Sequence, residues 1–255
     1  MEKNIRDVWA HNLEDEMKKI SELIEDYPYI AMDTEFPGQI AKPYGSFSSQ
    51  EDYVYQLTRL NVDYLKIIQI GITLGDGQGG YPQPCSTWQF NFKFNLDEDM
   101  YTSESIELLQ QSGIDFKRFN NEGISPFDFT QLLYTSGLVM NDRITYLTYH
   151  SVSDFAYLLK MLTCKPLPPD VKDFNAQLNI LFPHYYDIKL IASNMDLMGG
   201  GLQALANELN VPRVGPAHQA GSDALVTLDT FVALMNKYFG GKLENEKFEN
   251  KIYSI

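Results

Sequence analysis

AMDTEFPG, residues 31–38, follows an apolar lead of Tyr29 and Ile30 and reads as a buried strand that nonetheless carries Asp33 and Glu35. Successive side chains of a strand point to opposite faces, so Asp33 and Glu35 project from one side and Thr34 from the other. Two like charges at that spacing repel, and burial raises the cost. A lone Asp-x-Glu is ordinarily a solvated strand end. Here Tyr29, Ile30, Ala31, Met32 and Phe36 argue for cover on both faces, and a carboxylate pair in that setting calls for positive charge between its members.

Reading outward, residues 5–25 place Ile5, Val8, Trp9, Leu13, Met17, Ile20 and Leu23 close to helical spacing and stop at Tyr27-Pro28. Beyond the acid strand (29–36) and a Gly/Pro/Ser loop, residues 50–64 are helical in pattern. LKIIQIGITLG (65–75) is dense in isoleucine and reads as a central strand, with STWQFNF (86–92) returning as its hairpin partner. Residues 102–140 carry helical periodicity interrupted at Gly113, Gly123 and Ser125-Pro126, and ITYLTYH (144–150) is a further strand. Helices are expected over 152–164, 169–182, 201–209 and 218–239, with a short fifth strand in YYDIKLIA (185–192). This order predicts an α/β fold in which helices flank both faces of a mixed sheet. A single domain is expected over 1–255, with a polar tail from 241 that frays.

Composition narrows the function classes. Of the 255 residues, 44% are hydrophobic, enough for one sizeable core. No apolar run approaches the length of about 18 residues that spans a bilayer, and the acidic N-terminus lacks the basic start and apolar stretch of a secretory signal. An intracellular, soluble protein is therefore expected. Cys85 and Cys164 lie far apart and outside any CxxC or His/Cys cluster, which points away from a disulfide framework or a zinc site. A net charge of -14 argues against a broad basic nucleic-acid surface. Nucleic acid stays in play, because divalent cations can supply local positive charge in an acidic site.

Further acids fall where the pattern places element starts. Asp154, in HSVSDFAYLLK, lies in the first turn of a helix just past a strand, a position that helix capping alone would explain. Asp223, in AHQAGSDALVTLDTF, belongs to an otherwise apolar helix and reads equally as an exposed acid of its first turn. His218 stands five positions earlier, too far round an ideal helix to share a face with Asp223, so convergence requires it to sit on the preceding loop. A neutral imidazole there could take a proton from water near physiological pH. His11, His150 and His184 lack such a neighbourhood and read as structural or surface groups. Three acid-bearing segments ending on one sheet, with a His-x4-Asp, suit two-metal phosphodiester hydrolysis, in which ions about 4 Å apart stabilise the attacking and leaving oxygens. Oxygen ligands favour Mg2+ or Mn2+.

In order, AMDTEFPG, LKIIQIGITL, WQFNF, TYHSVSDFAYLLK, YYDIKLIA and HQAGSDALVT resemble the Caf/Pop-type deadenylases, the ribonuclease subunit of the Ccr/Not complex within the DEDDh exonuclease superfamily. The resemblance runs from about residue 4 to 240. It implies an RNase H-like fold, with Asp33, Glu35, Asp154 and Asp223 as metal ligands and His218 as general base. Asp33 would bridge two ions, Glu35 and Asp223 would help hold the one that activates water, and Asp154 would support the other. The implied reaction removes poly(A) from its 3' end as 5'-AMP. Implied partners are poly(A) RNA, a large helical-repeat scaffold, a leucine-rich-repeat-bearing nuclease and antiproliferative adaptor proteins, in the cytoplasm and the nucleus. Phe36, beside the acid pair, is a candidate surface for stacking the terminal base. The alternatives are a module that bridges complex subunits without turnover and a DEDDh exonuclease with a DNA or structured-RNA substrate.

Two other signals are set aside. GDGQGG (75–80) satisfies G-x-G-x-x-G after a strand, but YPQP follows where a dinucleotide site needs a helix, so a hairpin loop is expected. LDEDM (96–100) lacks the glycine and terminal glutamate of an EF-hand loop.

Overall fold

The computed structural model of the chain describes residues 5–195, 197, 200–241, 243 and 245–255. The acid strand β2 (Tyr29–Glu35) lies near the middle of a six-stranded sheet in the order β1 (Ile5–Val8), β4 (Thr87–Asn91), β3 (Gln69–Gly75), β2, β5 (Thr145–Thr148), β6 (His184–Asp187). It pairs antiparallel with β3 (Gln69–Gly75), which sets Asp33 opposite Gly71 and Glu35 opposite Gln69. β4 (Thr87–Asn91) returns antiparallel to β3, so the GDGQGG stretch is the expected hairpin loop, its Asp76 carboxylate accepting from the Gln78 and Gly80 amides. β5 (Thr145–Thr148) and β6 (His184–Asp187) continue the other side in parallel.

The first strand is a correction. Ile5–Val8 forms β1, parallel to β4, where helical spacing had predicted the start of a long helix. The helix α1 begins only at Leu13 and runs to Leu23. The open edge of β4 decides the outcome, because it offers a row of backbone partners that a helix could not use. Asp7 then accepts from the Gln89 and Asn91 side-chain amides at 3.0 and 3.2 Å.

The alternation of β2 sorts the helices. Ile30 and Met32 face a cluster built with α1, α2 (Gln50–Tyr64), α5 (Pro126–Thr135), α6 (Val152–Thr163) and α7 (Val171–Leu181). Ala31 faces the other side, against α8 (Ile188–Ser193), α9 (Leu202–Glu208) and α10 (Ala220–Tyr238). A third cluster joins Trp9 and Phe94 to α3 (Ser103–Gln111) and α4 (Phe116–Glu122). Each fully buried Phe or Ile in these clusters contributes about 1.5–3 kcal/mol. No helix among the described residues is long and apolar enough to cross a membrane.

The tail also departs from expectation. A short α11 (Asn245–Phe248) packs back, with Phe248 and Ile252 both buried. Asn250 donates to the Tyr185 carbonyl at 2.9 Å, and its side chain accepts from the Tyr185 amide at 3.1 Å. The unpaired edge of β6 supplies these backbone groups, which a polar sequence alone does not announce.

Helix α10 approaches the sheet so closely that a Cβ on Gly71 would lie 1.9 Å from the Ala220 carbonyl oxygen. That neighbour is backbone and cannot swing aside. Gly71→Ala is therefore expected to cost about 3 kcal/mol or more by overpacking, read as a lower urea midpoint, whereas an unchanged midpoint would show that α10 can lift without penalty.

Candidate active site

The face of β2 that carries Ala31 also carries Asp33 and Glu35, and α10 starts directly above it. Asp223, in the first turn of α10, completes a triad with Asp33 and Glu35 whose ligand oxygens lie within 4.8 Å of one another. The helix is seated by the sheet itself. Its N-cap residue, Gln219, makes no side-chain cap. Instead the Ala220 amide donates to Gln69 Oε1 at 3.2 Å and the Gly221 amide donates to Gln89 Oε1 at 2.9 Å. Gln69 and Gln89, polar residues in otherwise apolar strands, thus satisfy amides that the first helical turn leaves open. Their own amide groups both donate to Gln219 Oε1, at 3.1 and 2.8 Å.

Both oxygens of Asp223 are engaged. Arg213 Nη1 lies 2.8 Å from Oδ1, and the His218 backbone amide donates to Oδ2 at 2.9 Å. Arg213 is itself held by Gln203 Oε1 and, at 3.0 Å, by the Ser222 hydroxyl. The reasoning from sequence missed this arginine, since one basic residue between loop prolines gives no periodic signal. His218 does sit on the loop before α10, as its spacing requires, in a left-handed conformation with φ of 63°. Its backbone touches Asp223 while its ring is exposed. The Ser112 hydroxyl donates to the His218 carbonyl at 2.8 Å and pins the loop to the end of α3.

Asp154 comes from the opposite layer. It lies in the first turn of α6, is 7% exposed, and accepts from the Thr34 hydroxyl at 2.5 Å. Thr34 points away from Asp33 and Glu35, as strand alternation requires, so Asp154 stands beside the triad rather than within its 4.8 Å group. Phe36 is half-buried and stacks on Tyr157 with centroids 5.4 Å apart, which leaves less than a whole ring for a base.

Crowded acids titrate late. Burial, then the charges of Asp154, Asp223 and Glu35, push Asp33 well above the usual carboxylate range, with Arg213 opposing. Glu35 is raised likewise by burial, Asp223 and Asp154. Burial lifts Asp154 to about 7 against the hydrogen bond from Thr34, with Asp187 adding to the rise. An all-oxygen cluster that holds excess negative charge is the donor set that hard divalent cations take.

A protein-family model described as CAF1 family ribonuclease matches residues 8–131 and 137–231. This chain belongs to that family. The CAF1-family chain is 51% identical over 251 residues to the poly(A) ribonuclease pop2 of Schizosaccharomyces pombe, covering 98% of this chain and 75% of that protein. It superposes on the solved S. pombe Pop2p in its Mg2+ and Mn2+ bound form with a TM-score of 0.96 and 51% identity, covering 98% of this chain and 99% of that one. Against CAF1 in the yeast NOT1 MIF4G domain co-crystal, the TM-score is 0.81 at 33% identity, covering 98% and 96%. The nuclease domain of 3'hExo, a DEDDh family member, shares the fold at a TM-score of 0.55 and 13% identity, covering 83% of this chain and 94% of that one. The CAF1-family chain thus has the RNase H-like architecture expected from its sequence.

The raised carboxyls carry a stability consequence. A carboxyl whose folded pKa lies above its unfolded value costs nothing below the unfolded range, and destabilises increasingly as pH rises from there through the folded value, to about 7 for Asp154. In chelator, Asp33→Asn is expected to raise the melting temperature at pH 7 by about 3 °C or more and by less at pH 5. An equal or opposite effect at the two pH values would remove the charge-repulsion account.

Proposed function

We propose that this CAF1-family ribonuclease is a 3'-to-5' exoribonuclease specific for poly(A), a deadenylase that releases 5'-AMP. The observation that carries the reading is the convergence of Asp33, Glu35 and Asp223 oxygens within 4.8 Å, with Asp154 adjoining them. Asp33, Glu35 and Asp223 would hold one divalent cation, Mg2+ or Mn2+, and Asp33 with Asp154 a second. Bound there, such ions make water more acidic and offset the charge that builds on the phosphoryl group.

The chain's own residues supply the rest. Water's oxygen bonds to phosphorus, His218 takes the proton that water gives up, and the bond from phosphorus to the O3' of the preceding nucleotide breaks, that oxygen leaving as a 3'-hydroxyl with a proton from solvent. The His218 backbone amide donates to Asp223 and Arg213 pairs with the same carboxylate, which supports a role for that imidazole beside the cluster. The free edge of Phe36 is offered to the terminal base. The substrate assignment is supported by 51% identity to a poly(A) ribonuclease.

A helical-repeat scaffold partner is supported by the relationship to a CAF1 that was crystallised with a NOT1 MIF4G domain. The leucine-rich-repeat nuclease, the antiproliferative adaptors and a location in cytoplasm and nucleus belong to the same proposal, on the resemblance of the motifs.

The test is digestion of a 5'-labelled RNA ending in an A-tail, with Mg2+ or Mn2+, with chelator, and with variants. Stepwise shortening that stops at the tail's base is expected to need metal and to vanish in Asp33→Ala. His218→Ala is expected to slow it by about 100-fold or more. A matching DNA shortened equally well would refute the RNA specificity. A folded protein that binds metal yet leaves the tail intact would establish the bridging module instead.

A further inference from the structure

Asp187, the last residue of β6, is fully buried, and its carboxylate is saturated by neighbouring donors. Oδ1 accepts from the His150 amide at 2.8 Å and the Lys189 amide at 3.0 Å. Oδ2 accepts from the Ser151 amide at 3.2 Å, the Ser151 hydroxyl at 3.4 Å and the Tyr253 amide at 3.1 Å. One carboxylate therefore fixes the backbone of His150, Lys189 and Tyr253, which come from three separate segments.

The side chains of those three residues form a cluster of their own. The Lys189 ammonium lies 3.3 Å from His150 Nδ1 and 4.7 Å from the centre of the Tyr253 ring. The His150 ring meets the Tyr253 ring edge-on, 5.5 Å between centroids. None of the ion pairs among the described residues involves Lys189. A chain with 34 acids and 20 basic residues has carboxylates to spare, yet this ammonium is braced by two rings rather than paired with an acid. Because an ammonium can only donate, His150 accepts at Nδ1 and carries its proton on Nε2. Burial and the charge of Lys189 depress the His150 pKa, which agrees with a neutral ring. The cluster thus presents an ammonium that two rings hold in place and whose remaining N–H groups can meet an anionic oxygen, while the His150 Nε2–H lies on the far side of its ring.

Its position relates it to the acid cluster. Ala31 of β2 pairs with Leu147 of β5, so the chain reaches Asp33 on one strand as it reaches Tyr149 and His150 on the next. Asp154 follows four residues after His150 and senses the charge of Asp187. The cluster therefore lies at the same end of the sheet as the acids, beside the strand that carries Asp33.

We propose that Lys189, braced by His150 and Tyr253, forms a second phosphate subsite that binds an RNA phosphodiester on the 5' side of the one being cut. The inference rests on the exonuclease reading for its ligand, and it gives the docked C-terminal tail a part in substrate binding. The first measurement is binding of 5'-fluorescein hexaadenylate in EDTA by anisotropy over a range of salt, which needs no turnover. Lys189→Gln is expected to weaken binding roughly fivefold and to reduce the salt slope by about 0.7, the value for one phosphate contact on a single strand. Lys189→Arg is expected to restore most of both, and it controls for misfolding. The second measurement is kcat/KM with Mn2+ for hexaadenylate and for ApA, which has only the linkage to be cut. The loss in Lys189→Gln is expected to be several-fold larger on the hexamer. Unchanged affinity and salt slope, no hexamer binding by the unaltered protein, or equal losses on the two substrates would overturn the subsite. An unaltered protein that binds the hexamer with the stated variant effects but leaves it uncut would sink the exonuclease reading alone.

Discussion

The seating of α10 on β3 is the contact on which the rest of the site depends. At Gly71 the sheet has no Cβ, and the Ala220 carbonyl occupies that space. Gly71 is also the residue paired with Asp33, so the helix lands beside the first acid and carries Asp223 over the sheet toward it. A helix that close cannot be capped by water at its start. The carboxamides of Gln69 and Gln89 do that work from within the sheet. Moving α10 outward by the thickness of one methyl group would break both hydrogen bonds and separate Asp223 from Asp33 and Glu35.

What this geometry assembles is unstable on its own terms. Several half-buried carboxylates crowd together, and among the described residues Arg213 is the cation that opposes Asp33 and Glu35. One guanidinium cannot neutralise four acids, which leaves the cluster with a deficit of positive charge that divalent ions would fill. The scaffold carries this strain because the surrounding clusters on both faces of the sheet are large and continuous. Repulsion among the acids and affinity for cations are one property seen in two states.

How much of this was legible in the sequence follows from what each signal reports. Periodicity reports burial, and where an element is buried in the ordinary way it was read well: α2 spans Gln50–Tyr64 as its pattern gives it, and β3 and β4 form the expected hairpin. It failed at Ile5–Val8, where the same apolar spacing serves a strand on an open edge, and at the tail, which docks through Asn250 and Tyr253 rather than through an apolar run. The placement of Asp33 and Glu35 could be inferred because acids in apolar surroundings are costly, Asp223 was singled out from an ordinary first-turn acid only by the wider pattern of motifs, and a loop position for His218 was the condition that helical geometry sets for the two to converge. Gln69 and Gln89 carried a comparable signal, as amides in the middle of apolar strands. Arg213 carried none, because its partner Asp223 is adjacent only after α10 is seated.

Asp187 shows the same economy on the other side of the site. Like Gln69 and Gln89 it is a buried polar side chain at a strand position, and like them it gathers backbone amides from segments that are remote in sequence. The two arrangements differ in what they expose. The glutamines place a negative group over the sheet, at Asp223, whereas Asp187 places a positive donor, at Lys189, braced by His150. A nuclease that works from one end of a polyanion needs this asymmetry: acids to concentrate metal at the linkage being cut, and donors beyond them to register the chain that is still to come. With a net charge of -14 repelling RNA at long range, selectivity for a chain end falls to a few fixed contacts at the mouth of the site, and buried polar side chains that order separate segments are how this fold fixes them.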